Sequence, residues 1–148
     1  MNKKLLTIFL SLFLVSILSV SCSNSDKTGS TIDDSKGIEQ FNGNTYVSKD
    51  SFDASSVRPE LKTAYLWVSV KDGQVATLPS DNTTPPDFDI AYFAVTGSGT
   101  DYSFSLDSGS VVGTLKFSSD GSSVTLRYTA NPGAPAEMLN KNIVCNKR

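Results

Sequence analysis

Histidine is absent from the 148-residue chain, and cysteine and methionine occur twice each and tryptophan once. Without an imidazole, the Ser-His-Asp and Cys-His arrangements, His-ligated zinc and imidazole acid/base chemistry are excluded. Carboxylate, lysine, tyrosine or lone-cysteine mechanisms remain, and no glycine-rich loop leads from a strand into a helix to cradle a phosphate. Basic clusters are missing too: 13 Lys+Arg stand against 15 Asp+Glu and, beyond the N-terminal pair Lys3-Lys4, are scattered singly apart from Lys147-Arg148. That balance speaks against nucleic acid as a partner, because phosphates are held by grouped Lys and Arg. The residues point to a non-enzymatic chain with no catalytic residues, no metal ligands and no cofactor.

What the chain does have begins at its N-terminus. Lys3 and Lys4 precede the apolar run Leu5 to Val20, interrupted by Thr7, Ser11, Ser16 and Ser19. A basic start before an apolar run short of the roughly 20 residues of a bilayer span has the form of a cleavable signal peptide. The run ends in Ser19-Val20-Ser21-Cys22. This resembles the lipobox of bacterial lipoproteins in its looser form, with Ser19 where leucine is usual and Leu18 one place back. The resemblance implies cleavage between Ser21 and Cys22, acylation of Cys22 and attachment to a membrane of the cell envelope. With Ser23 rather than aspartate following, it implies the outer membrane. An ordinary secretory cut, which small residues at Ser19 and Ser21 also satisfy, would instead leave Cys22 able to pair with Cys145. The expected organisation is residues 1–21 as signal peptide, 22–37 as lipidated cysteine and flexible tether, and 38–148 as one β domain. In the tether, Ile32 is the sole large apolar residue, too little for an independent core.

From Phe41 onward, short runs rich in Val, Thr, Tyr and Phe alternate with Gly, Asp, Asn and Ser, a pattern of strands and tight turns. Phe41 to Val47 is the expected first strand, and a short helical turn is expected near Arg58 to Lys62. Ala64 to Val70 follows as a strand with two apolar faces, joined to Gln74 to Leu78 by an Asp72-Gly73 turn of type I′. Pro79 to Pro86 reads as an exposed loop. Phe88 to Thr96, Tyr102 to Leu106, Val111 to Ser118, Ser123 to Thr129 and Asn142 to Cys145 complete eight strands. In the later ones Tyr102, Phe104 and Leu106 share a face, as do Val111, Leu115 and Phe117, and Val124, Leu126 and Tyr128. The fold class is all-β: a small antiparallel up-and-down barrel of about eight strands, with a two-sheet sandwich as the alternative.

Gly43-Asn44-Thr45-Tyr46 and the run from Gly113 to Gly121, GTLKFSSDG, resemble the Gly-x-aromatic opening and the recurrent hairpin of the small lipocalin-like domains of bacterial lipoproteins. The resemblance implies a lipocalin-like barrel at a membrane surface. Tyr65, Trp67, Phe104, Phe117 and Tyr128 are the aromatic side chains from which a ligand-lining set would be drawn; the simpler expectation is that they fill the interior. Asp81, Asn82, Asp87 and Asp89 carry oxygen donors but match no calcium-loop spacing and read as a solvated loop. Asp101 and Asp107 read as turn residues, and Cys145 as a buried thiol. Three roles follow as expectations: a lipid-anchored binding or structural module, a carrier of a small apolar ligand, and a protein-binding module displaying the loops around Asp81 and Asn131.

Overall fold

The computed structural model describes residues 32–88 and 92–148. The signal segment, Ser21, Cys22 and Asp89 lie outside the described residues. Eight strands run in the order β1 (Thr45–Ser48), β2 (Tyr65–Lys71), β3 (Gln74–Ser80), β4 (Thr96–Ser98), β5 (Asp101–Leu106), β6 (Val111–Phe117), β7 (Ser123–Ala130) and β8 (Ile143–Lys147). They form one antiparallel sheet in the spatial order β3-β2-β1-β8-β7-β6-β5-β4, curled into a half-barrel. A single sheet is the barrel expectation rather than the sandwich. The two edges approach each other through Phe93, which leads into β4 and exchanges backbone hydrogen bonds of 2.9 and 2.8 Å with Val75 of β3.

The ladder registers define two ends. At the base lie the 72–73, 99–100 and 118–122 turns, beside the pairing of Tyr46 with Lys147. At the mouth lie the longer connections 49–64 and 131–142, the turn after Leu106 and the end of β3. The β2–β3 hairpin has the expected two-residue turn, with Lys71 opposite Gln74 and φ of 52° at Asp72 and 72° at Gly73, the left-handed pair that type I′ requires.

Period-two alternation sets the interior. Tyr46, Leu66, Val68, Val70, Val75, Tyr102, Phe104, Leu115, Phe117, Val124, Leu126, Tyr128 and Cys145 belong to one buried cluster. On β5 to β7 the opposite positions Ser103, Ser105, Thr114, Lys116 and Arg127 are exposed. β2 is buried on both faces because the connection after β3 folds over its outside: Trp67 Nε1 donates to the Asn82 carbonyl at 3.2 Å, and Ser69 Oγ and Tyr92 Oη lie 3.1 Å apart.

Several local expectations give way to tertiary packing. The expected first strand begins instead as a 3₁₀ turn, Ile38–Phe41, followed by β1. With three residues per turn, Ile38 and Phe41 fall on one side and both enter the core. No helical turn forms at 58–62: Arg58 precedes proline, which disfavours helical angles, and the loop closes through Arg58 N to Ala54 O and Leu61 N to Arg58 O. β3 continues through Pro79 to Ser80, which proline permits on an edge strand. Of the expected strand Phe88 to Thr96, Phe93 makes a single bridge and β4 starts at Thr96, while residues 89–91 lie outside the described set. The end of the expected tether is docked: Gly99 N donates to Lys36 O at 2.9 Å and Ile32 packs on the core cluster. One large apolar residue suffices there because the barrel supplies the other side of the contact.

Candidate functional site

The interior is occupied from the base upward. Phe41 stacks on Phe117 with ring centroids 3.8 Å apart and planes 11° apart, and Tyr102 and Tyr46 meet Phe117 edge-on at 5.9 and 5.7 Å. Higher up, Phe104 meets Tyr128 at 6.0 Å and Phe93 at 5.0 Å. Phe104 and Tyr128 face each other across Gly113, their common neighbour in the ladder. The five aromatic residues named from the sequence therefore divide. Phe104, Phe117 and Tyr128 point inward and pack on one another. Tyr65 and Trp67 stand on the outer side of β2, because Leu66, Val68 and Val70 take the inner one, and so do not line the interior.

Open space is found at the mouth. A cleft of about 210 Å³ lies between the 49–64 connection, β3 and the 131–142 connection, lined by Phe52, Ala54, Leu66, Pro79, Pro135 and Met138 among others, with Arg58 at its rim. On its wall Tyr128 Oη donates to Thr77 Oγ1 at 2.9 Å. Burial pushes the Tyr128 phenol up to about 12, so it stays protonated at neutral pH. The Arg58 guanidinium is half exposed and 4.0 Å from Glu60, a distance at which solvent screens most of the attraction. The cleft offers apolar surface, the Arg58 cation, the hydroxyls of Tyr128 and Thr77 and the Asn131 carboxamide, with no carboxylate, lysine or cysteine among the described lining residues. That chemistry can hold a small apolar group.

Comparison with known proteins adds no relative. No family model, curated protein or solved structure matches the chain.

The remaining candidates are dispersed. Asp101 accepts from Thr100 Oγ1 at 2.7 Å and Lys116 Nζ at 3.0 Å, contacts that hold its carboxyl below the usual range, and Asp107 opens the turn at the other end of β5. Asp81 accepts from Asn82 at 3.3 Å. Among the described residues no three His, Cys, Asp or Glu side chains gather as a metal site. Sequence reasoning missed the mouth cleft, whose apolar residues Phe52, Ala54 and Met138 sit in the connections between strands. The signal available was the presence of large apolar residues where solvated loops carry few.

Cys145 is fully buried on β8, its Sγ 3.9 Å from the carbonyl oxygens of Leu66 and Ile143. Burial pushes its thiol up to about 12 from 9.0. An unfolded chain loses this proton first, so the stability contribution is complete below pH 9 and falls between pH 9 and about 12. The span corresponds to at most ~4 kcal/mol. Tyr128 adds a second loss that begins at its ordinary 10.0. The urea midpoint is expected to drop above pH 9, and Cys145→Ala is expected to move the start of the drop towards pH 10. An unchanged onset in the variant would assign the alkaline loss to other groups.

Proposed function

We propose that the chain is a lipid-anchored protein of the bacterial cell envelope, cleaved between Ser21 and Cys22 and acylated on Cys22, with a non-enzymatic β domain that serves as a binding or structural module. The observation that carries this reading is the burial of Cys145. The alternative for Cys22 is a disulfide, and Cys145 offers its sulfur only from inside the core, where a bridge would require β8 to leave the sheet. An acylated Cys22 makes no such demand. Two or more acyl chains hold a protein stably at a bilayer, since each buried methylene contributes about 0.8 kcal/mol. The domain then needs no membrane-binding surface of its own. Ser23 favours the outer membrane as the destination.

Intact-mass measurement of the mature protein from membranes is expected to give a chain beginning at Cys22 with added acyl mass and a single thiol that is titratable only after unfolding. A lipid-free chain with Cys22 joined to Cys145 would overturn the proposal. A second reading, binding of a small apolar ligand, is favoured by the mouth cleft; the packed rings of the interior move any such ligand to the mouth. The loops at Asn131 and Asp81 also end at the mouth, which makes that end the surface for a protein partner.

A further inference from the structure

Resting on the anchor reading, we infer that the fold biases which end of the barrel the membrane sees: the base faces the bilayer and the mouth, with its cleft, faces away. The described chain enters the barrel at the base. Ile32 Cδ1 lies beside Gly121 in the 118–122 turn, 3.7 Å from where a Cβ on that glycine would stand. From there residues 33–41 are pinned to the same end. Gln40 is the fastening: its Nε2 donates to Gly99 O at 2.8 Å and is 3.3 Å from both Lys36 O and Tyr102 Oη, while its Oε1 accepts from Asp33 N at 3.2 Å. Phe41 then inserts over Phe117 and closes the base.

This docking shortens the leash. Cys22 and Ile32 are 32 − 22 = 10 residues apart, a span of at most about 35 Å. Bringing the mouth to the bilayer would use about 20 Å of that along the barrel wall, the length of a seven-residue strand such as β2. Bringing the base there uses none. Charge supplies no opposing preference, since Lys36, Lys71, Lys147 and Arg148 near the base are accompanied by Asp33, Asp34, Asp72 and Asp120. The mouth is thus offered to molecules arriving from the aqueous side, and the headgroups of the anchoring leaflet are not its partner.

The test uses the full lipidated chain in phosphatidylethanolamine/phosphatidylglycerol vesicles doped with a nickel-chelating lipid. A nitroxide is placed at the base by Ser119→Cys or at the mouth by Glu137→Cys; both positions are exposed, and buried Cys145 does not compete for the label. Relaxation enhancement by the headgroup nickel is expected to be about threefold or more greater at 119 than at 137, given the ~20 Å between the ends. Gln74→Cys, also exposed at the base, repeats the measurement independently of the 118–122 turn. Equal or reversed enhancement, with intact mass showing acylated Cys22, overturns the orientation and leaves the anchor standing. A mature chain without lipid on Cys22 overturns both.

Discussion

Gly113→Ala is expected to lower the unfolding free energy by about 3 kcal/mol, at the upper end of the cost of overpacking a core. A Cβ at this position would stand 2.5 Å from Phe104 Cζ and 2.7 Å from the Arg127 carbonyl oxygen. The ring could move alone if the other neighbour were a side chain. The second contact is backbone, so β6 and β7 must separate locally, beside the register shift already present between Val112 and Gly113. Alanine's better strand propensity, worth roughly 0.5 to 1 kcal/mol over glycine, offsets only part of this. Equilibrium urea unfolding measures the difference, and a loss below about 1 kcal/mol would show that Phe104 does not lie over the glycine as described.

Phe41→Ala is expected to cost more, about 3 to 5 kcal/mol, the range for deleting a large buried aromatic ring. Phe41 is 1% exposed and stacks on Phe117, with Tyr102 edge-on at 6.3 Å. Its loss opens a void at the base and releases the 3₁₀ turn that it anchors. Two readouts separate these effects: urea unfolding reports the global loss, and the rate of tryptic cleavage after Lys36 reports undocking of residues 33–41. Cleavage is expected to accelerate under conditions where the barrel remains folded. If the stability falls while cleavage after Lys36 stays slow, Gln40 alone holds the segment.

These two positions also show what the sequence discloses. Alternation on β5, β6 and β7 placed Tyr102, Phe104, Leu106, Val111, Leu115, Phe117, Val124, Leu126 and Tyr128 on one side; all are buried except Leu106 and Val111, which flank the turn at the mouth and are partly buried against the core. The Asp72-Gly73 turn and the inward Cys145 were legible for the same reason: local chemistry and period two suffice. Phe41 was misread because FNGNTYV has strand composition, whereas its conformation is decided by the space over Phe117, a residue 76 positions away (117 − 41). The outward side of β2 posed a similar difficulty. Its two apolar faces announced cover on both sides, but only the path of the connection through Asn82 and Tyr92 identifies the cover and removes Tyr65 and Trp67 from the interior. The cleft at the mouth depends on two connections distant in sequence, 49–64 and 131–142, and no local pattern encodes their meeting.

The place of β8 bears on how the protein is made. β8 follows every other strand in the chain yet sits in the middle of the sheet, between β1 and β7. Until it arrives, β1 to β3 and β4 to β7 are two meanders whose only backbone link is the single Val75–Phe93 bridge among the described residues. Joining β1 to β8 closes a loop of about 100 residues, and such high contact order makes assembly slow and late. A nascent chain therefore has no complete barrel to form while β8 is still being synthesised.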